Sequence, residues 1–318
     1  MNIPHNLTSR EQEQDNIQIE FLVTLTLEKE SSLVKVDIEV ENKAIEHRVR
    51  VLFKTGIESV ESIADQQFGT IRRPVYLSEV ENWRENGWNE KPRTIEPMQS
   101  FVSLANEHEN VSIITDCVRE YQIIGEKFDT VALTLFRSTP EMGKAELKDR
   151  PGRASGMANW ETPDAQLLKN LKFNFAIFIG KEGYSASKIS NMSKEYLTPL
   201  YYYQAAEFKN VDIFFLMNKP EIQNLPFDFS MFSSENRNCV LSTLKKAEKE
   251  DALIMRIYNP NDKKSTNFDI IYHDDIKNTS LVKFDEETIM DNVEFSFDGN
   301  KIKINNVKTC QVLSIKVK

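Results

Sequence analysis

Alternation of apolar and charged residues dominates this chain and restricts the folds open to it. In "LVKVDIEVE", residues 33–41, every second residue is aliphatic and nearly all the others are charged. Successive side chains of a strand point to opposite faces of a sheet, so the spacing predicts an antiparallel strand with one buried and one wet face. "IQIEFLVTLTLE", residues 17–28, has the same pattern, with Phe21, Val23, Leu25 and Leu27 on the apolar face. "EKESS" between the two runs suits a hairpin connection.

Strand-like segments recur along the rest of the chain. They are "HRVRVLFKTG" (47–56), "VSIITDCV" (111–118), "REYQII" (119–124), "TVALTLFRS" (130–138), "KFNFAIFI" (172–179), "VDIFFLM" (211–217), "LSTLKKAEKE" (241–250), "VEFSFDGNKIKI" (293–304) and "QVLSIKVK" (311–318). The eighth is a hairpin whose turn holds Asp298 and Gly299. Helix propensity alone would favour a short helix in "LSTLKKAEKE", but the surrounding series of strands favours a strand.

Two segments depart from the strand pattern. Residues 60–100 carry three prolines and two tryptophans, and they are interpreted as a long excursion over a sheet. Residues 183–205 predict a helix that ends before Pro199, because proline cannot continue a helix. A Pro-, Asn- and Ser-rich stretch at 222–236 predicts a domain boundary. The expected fold is all-β, with a large antiparallel β-sandwich domain over 1–225 and a smaller C-terminal β-sandwich domain over 236–318.

Composition excludes several classes of protein. The net charge of −9 argues against a general nucleic-acid binder, which would show a basic domain or stripe. No apolar run approaches the ~20 residues of a membrane span, and the polar N-terminus lacks a secretory signal. Cys117, Cys239 and Cys310 are far apart, which is typical of thiols in a reducing compartment. The sequence thus predicts a cytoplasmic protein without nucleic-acid or membrane partners, and it is compatible with a homo-oligomer.

Few residues of the sequence form a recognisable catalytic or metal-binding pattern. None of the four histidines pairs with another at zinc-ligand spacing, and His273 in "YHDD" has neighbours that alternate across a strand. Neither a glycine-rich phosphate loop nor a G-x-S-x-G elbow occurs. No complete catalytic or metal site is therefore predicted from the residues of this chain alone.

A polar loop interrupts the strand series at "DRPGRASGMANWETPDAQ", residues 149–166. It places Arg150 and Arg153 among small residues that let a backbone approach a partner closely. Arginine offers five donors in a rigid fork suited to carboxylates, phosphates and sugar hydroxyls. One interpretation is a surface loop whose arginines pair with acids such as Asp149, Glu161 or Asp164. The other is a loop that completes a polar site.

Eight further segments form an ordered series: "RVRVLFKTGI" (48–57), "ADQQFGTIRRPV" (64–75), "PMQSFVSLANEHENVSIITDCVREYQI" (97–123), "VALTLFRS" (131–138), "DRPGRASG" (149–156), "PDAQLL" (163–168), "YLTPL" (196–200) and "LKKAEKEDALIMRIYNP" (244–260). In this order they resemble the C-terminal β-region of glycoside hydrolase family 38, the retaining α-mannosidases, and most of all its bacterial branch, which includes mannosylglycerate hydrolases. The resemblance covers most of 20–318. It implies a supersandwich of the galactose-mutarotase type followed by a small sandwich.

The resemblance also implies a function. Such enzymes cleave α-mannosides with zinc and an aspartate nucleophile, both carried by an N-terminal region that this chain lacks, so no catalytic residue and no bound zinc are expected here. An acidic-then-arginine loop reaches toward their sugar site. By motif position Arg153 is the first candidate for substrate binding, with Arg150 and Asp149 beside it. The alternative is a stand-alone carbohydrate-binding or structural module, in which Trp83, Trp88 and Trp160 stack on sugars or pack under loops.

Overall fold

The computed structural model describes residues 1–14, 16–152, 158–202 and 228–318. The chain divides into two compact units, the first comprising Met1–Ser193 with Pro260–Asp262 and the second Lys194–Asn259 with Lys263–Lys318. The boundary predicted between residues 225 and 236 stays a prediction. The strand predicted at 211–217 lies outside the described residues.

The strands of the first unit are, in chain order, β1 (Asn2–Pro4), β2 (Asn16–Gln18), β3 (Phe21–Leu27), β4 (Leu33–Glu41), β5 (Arg48–Lys54), β6 (Glu61–Gln66), β7 (Gly69–Pro74), β8 (Ile95–Met98), β9 (Phe101–Ala105), β10 (Asn110–Thr115), β11 (Arg119–Ile124), β12 (Thr130–Arg137) and β13 (Asn170–Gly180). The helices are α1 (Leu7–Gln12), α2 (Glu79–Asn82), a 3₁₀ turn (Pro163–Gln166) and α3 (Ala186–Leu197). The last helix ends two residues before Pro199, as predicted.

Two antiparallel sheets form the core of the first unit. The seven-stranded sheet has the order β3-β4-β13-β10-β9-β6-β7, and the four-stranded sheet has the order β5-β12-β11-β8. Val36, Ile38 and Phe175 of the larger sheet belong to the same buried cluster as Tyr121 and Leu133 of the smaller one. The alternation seen in the sequence therefore buries one face of each sheet against the other, as in a β-sandwich.

The second unit repeats this arrangement on a smaller scale. Its strands are β14 (Phe232–Ser233), β15 (Val240–Lys246), β16 (Leu253–Tyr258), β17 (Thr266–Tyr272), β18 (Thr279–Val282), β19 (Phe295–Asp298), β20 (Lys301–Val307) and β21 (Val312–Val317). They form two four-stranded sheets, β14-β17-β20-β19 and β15-β16-β21-β18. "LSTLKKAEKE" contributes a strand, and the β19–β20 hairpin turns at Gly299 with φ of +56°, which glycine adopts without steric cost. The all-β prediction is confirmed.

Two sequence-based interpretations were wrong. Residues 60–100 contain β6, β7 and β8 and are not merely an excursion over a sheet. In β3, Val23, Leu25 and Leu27 are 51–66% exposed, although Ile38 and Val36, the cross-strand partners of Val23 and Leu25, are buried. Because β3 is the edge of a seven-stranded sheet and the facing sheet has only four strands, the outermost apolar face is left uncovered.

Candidate functional site

The connection from β12 to β13 is held at both ends by buried polar groups. At its start, the Ser138 backbone N–H donates to the His47 carbonyl at 2.8 Å. At its end, the Asn42 side-chain amide donates to the carbonyls of Gln166 and Leu167, both at 3.1 Å. Asn42 is 2% exposed, so these bonds replace water that cannot reach the carbonyls. The strand ends thus fix where the loop leaves and rejoins the sheets.

Within the connection, the outgoing and returning segments pair with each other. Isolated bridges join Glu141 to Glu161 and Gly143 to Ala158. The Met142 N–H donates to the Trp160 carbonyl at 2.8 Å. The loop therefore has a paired stem, which carries the predicted residues Asp149 and Arg150 at its far end.

Asp149 and Arg150 are both tied to the segment that precedes β8. The Asp149 carboxylate accepts from the Arg93 guanidinium, and its backbone carbonyl accepts from the Lys91 N–H at 2.8 Å. Arg150 Nε lies 3.8 Å from Glu90 Oε1. These partners differ from Glu161 and Asp164, which the sequence suggested as acids for the loop arginines. Arg153, the first candidate, lies outside the described residues.

An open cleft of about 720 Å³ lies beside the loop. Its lining includes Glu90, Arg93, Arg137, Asp149 and Arg150. The structure therefore brings two of the three predicted binding residues to the wall of one cleft. Their contact with a substrate stays a prediction.

Sequence reasoning missed a group of arginines next to this cleft, on the outer face of the four-stranded sheet. Arg48 and Arg50 are two residues apart on β5 and so share a face, while Val49 and Val51 pack on the core. A bulge between Thr134 and Phe136 pairs Arg137 with Arg48.

The bulge decides which side of the sheet each residue of β12 occupies. The extra residue, Leu135, shifts the register by one, so Phe136 is buried at 7% exposure while Arg137 lies on the outer face. Without it, Phe136 would stand opposite Arg48. The alternation in "RVRV" could have shown from the sequence that Arg48 and Arg50 share one face of the strand. No feature of the sequence marks the bulge that places Arg137 on the same face.

One carboxylate faces these guanidinium groups. Glu120 Oε2 lies 3.7 Å from Arg48 Nη2, and Glu120 Oε1 lies 3.8 Å from Arg137 Nη1. A second cavity of about 350 Å³ is lined by both arginines, Glu120, Arg93 and Ile95. Arg93 and Arg137 therefore line both cavities.

Burial lowers the pKa of the Arg48 guanidinium, and the neighbouring arginines lower it further, while Glu120 opposes the shift. The direction is unusual for an arginine beside a carboxylate, since an opposite charge alone raises the pKa of a base. The lowering follows chiefly from the burial of the guanidinium.

Three other arginines of the first unit, Arg72, Arg73 and Arg119, have structural partners. Arg72 bonds to Glu61 at 2.5 Å and to Asp262 at 2.8 Å, and Arg73 Nε lies 3.2 Å from Glu96. Arg72 and Arg73 are therefore both ion-paired. Arg119 donates to the Leu135 carbonyl and to Asp116.

Of the three tryptophans, one is buried and two are exposed. Trp83 is 7% exposed and packs within the fold, whereas Trp88 and Trp160 are 46% and 55% exposed. Only the exposed pair is available for stacking on a sugar ring.

Metal-ligating residues do not gather within the described ranges. No group of three His, Cys, Asp or Glu side chains there could hold an ion. His273 lies 3.1 Å from Asp274 without a third ligand of this kind, and His47 is bonded to Ser138 in the first unit. The described residues therefore do not fit zinc. No helix in these ranges is long and apolar enough to span a membrane.

Comparison with protein families supports the resemblance seen in the sequence. "Glycosyl hydrolases family 38 C-terminal domain" matches residues 8–141, and "Glycosyl hydrolases family 38 C-terminal beta sandwich domain" matches residues 238–316. The two matches together take in about two thirds of the chain.

Individual relatives are much longer than this chain. A protein of Halalkalibacterium halodurans named "Putative mannosylglycerate hydrolase" is 25% identical over 292 residues, which are 90% of this chain and 28% of that protein. An α-mannosidase structure from Enterococcus faecalis has a TM-score of 0.71 at 17% identity, over 96% of this chain and 29% of that one.

A second Enterococcus faecalis structure, of a protein in glycosyl hydrolase family 38, has a TM-score of 0.71 at 15% identity, over 100% of this chain and 34% of that one. The chain thus spans about a third or less of the length of these proteins.

Proposed function

Because the chain belongs to the C-terminal β-region of glycoside hydrolase family 38, we propose that it is the C-terminal portion of a retaining α-mannosidase-type hydrolase. In this proposal it supplies the loop around Asp149 and Arg150, with Arg153, to a sugar site whose catalytic groups belong to another region. The relatives contain about three times as much chain, which is room for such a region.

Hydrolysis of a glycoside requires hydrogen-bond donors that hold the substrate, and the arginines of this loop can supply them. A retaining glycosidase uses two carboxylates and an oxocarbenium-like transition state, and binding groups must hold the sugar and the leaving group between them. A guanidinium donates to hydroxyls and, in bidentate geometry, to a carboxylate of the leaving group. Zinc in the complete enzyme would take its ligands from the other region.

The observation that carries the proposal is how the loop is fastened. The Arg93–Asp149 ion pair and the Lys91 N–H bond fix Asp149, and Glu90 lies beside Arg150. These contacts hold Asp149 and Arg150 at the wall of an open cleft. A loop placed in this way can present Arg153 to a ligand.

A chimaera tests the proposal. The corresponding C-terminal part of the Halalkalibacterium halodurans relative is replaced by this chain, and hydrolysis of p-nitrophenyl α-mannoside is followed with zinc present. We expect turnover by the chimaera and none by either part alone. Turnover by the isolated chain at an enzyme-like rate would refute the proposal, as would a folded chimaera without activity.

The exposed Trp88 and Trp160 favour a second candidate, a carbohydrate-binding module without catalysis. Aromatic faces of this kind stack on sugar rings. Binding of mannose by the isolated chain, lost in Trp160→Ala and retained in the inactive chimaera, would support this candidate over the first.

A further inference from the structure

The two sheets of the first unit are level at one side and stepped at the other. At the level side, Arg73 Nε of β7 lies 3.2 Å from the Glu96 carboxylate of β8, so the last strands of the two sheets face each other. At the other side, the Phe53 ring of β5 packs edge-on against Phe175 of β13, with centroids 5.5 Å apart. The four-stranded sheet therefore ends over β13, and β4 and β3 project beyond it.

Of the two projecting strands, β4 is covered and β3 is not. Ile38 of β4 is 4% exposed and belongs to the same core cluster as Ile19. The apolar strip, defined as Val23, Leu25 and Leu27 of β3, is 51–66% exposed. It lies on the same face of the sheet as Ile38, because Ile38 stands directly opposite Val23. Contiguous apolar surface of this kind marks an interaction site.

Both strands at the step also end their sheets. Among the described residues β3 pairs only with β4, and β5 pairs only with β12. An edge strand presents a row of unpaired N–H and C=O groups, which is a template for a further strand. A strand placed beside β5 would therefore gain backbone hydrogen bonds and would also cover the apolar strip.

The sequences of the two edges differ in a way that selects their partner. Proteins protect exposed edges with charges, prolines or bulges, and "FLVTLTL" of β3 has no charge and no proline and pairs with β4 without a bulge. The outer face of β5 carries Arg48, Arg50 and Lys54. Like charges on neighbouring strands are destabilising, so β5 is unsuited to pairing with itself and suited to an uncharged strand such as β3.

A second copy of the chain fits this step because the step is self-complementary. With a twofold axis parallel to the strands and midway between the sheets, the seven-stranded sheet of one copy continues into the four-stranded sheet of the other. The strand β3 of each copy then lies beside β5 of its partner, and the two apolar strips face each other. Each copy makes the same contacts, so the assembly closes at two copies.

We propose that this chain forms a twofold dimer through the step, in which β3 extends the four-stranded sheet of the partner copy and the two apolar strips pack together. Pairing of β3 with β3 at their edges would leave both strips in water, so it does not compete with this arrangement. The dimer is independent of the proposed function, because none of the residues that form it belongs to the loop around Asp149 and Arg150.

Sedimentation velocity of the isolated chain over a series of micromolar concentrations tests the dimer. We expect a reversible equilibrium between the 36.8 kDa monomer and a species of twice that mass, without larger species. A monomer at every concentration would overturn the proposal. Polymers that grow with concentration would overturn it as well, since they require an open arrangement of the copies.

Two variants of the same strand separate the two faces of β3. Leu25→Glu puts a charge between the apolar strips and should raise the dissociation constant of the dimer by about a hundredfold or more, because that charge is buried without a partner. Leu22→Glu is the matched control, since Leu22 is 64% exposed on the opposite face and Leu25 is 66% exposed. It should leave the dimer intact. Equal effects of the two variants would contradict the packing of the strips.

Unchanged circular dichroism establishes that each variant is folded, which is expected because both leucines are exposed in the single chain. A monomeric chain, together with loss of chimaera turnover in Leu25→Glu and not in Leu22→Glu, would assign the strip to the other region of the hydrolase and refute the dimer. An inactive chimaera beside an intact dimer would refute the proposed function and leave the dimer standing.

Discussion

Replacing Asn42 by alanine should destabilise the first unit and release the loop that carries the candidate site. Asn42 is 2% exposed and its side chain makes three hydrogen bonds. It donates to the carbonyls of Gln166 and Leu167 at 3.1 Å and accepts from the Ala44 N–H at 3.3 Å. At about 1 kcal/mol net for each bond, Asn42→Ala should cost about 2 to 4 kcal/mol, since the carbonyls stay buried.

Urea denaturation followed by tryptophan fluorescence measures this cost. Trp83, Trp88 and Trp160 all lie in the first unit, so the signal reports that unit alone. With an m-value of about 2 to 3 kcal/mol/M, the midpoint should fall by about 1 M. Limited proteolysis should at the same time cut the variant faster within residues 139–166.

Asn174→Ala is the matched control. Asn174 lies on β13 beside β4 and bonds to Asp37 at 2.8 Å, but it is exposed. Its loss should cost less than about 0.5 kcal/mol, as for surface substitutions generally. Equal midpoints for the Asn42 and Asn174 variants would refute the role given to Asn42.

Three further substitutions test the first unit. Burial lowers the pKa of His47 below its ordinary value of 6.5, so the unfolded state binds more protons and the free energy of unfolding falls as the pH drops below 6.5. His47→Gln should flatten this pH dependence in urea titrations, and an unchanged dependence would contradict it. Tyr121→Phe removes a buried hydroxyl 2.9 Å from Ser62 and should cost about 1 kcal/mol by the same assay, whereas no loss would contradict the bond. Gly125→Ala places a methyl group 2.9 Å from Asp129 at φ of +97° and should cost about 1 to 3 kcal/mol, with a neutral result contradicting the turn geometry.

Alternation in the sequence predicted part of the strand set and the faces that those strands bury. It predicted β4, β5 and the β19–β20 hairpin, because each has one face in a core. It failed for β3, whose exposure depends on how many strands the facing sheet contains. That number is a property of the assembled sandwich and not of any one segment.

The candidate site was only partly predictable for a related reason. Arg150 and Asp149 stood out through their loop and its family resemblance, whereas Arg93 lies 56 residues before Asp149 and has no local signal. Glu120 and Arg48 are likewise brought together because β12 pairs with β11 on one side and with β5 on the other. Charged partners from different strands become visible only when the strand order is known.

The most direct measurement of the central claim is kcat/KM of the chimaera with Arg153 replaced by glutamine. The account predicts a fall of about ten- to a hundredfold, the effect of one lost charged hydrogen bond. Arg237→Gln in the same chimaera should retain full activity. Equal kcat/KM for the Arg153 variant and the unaltered chimaera would contradict the claim that this loop serves the sugar site.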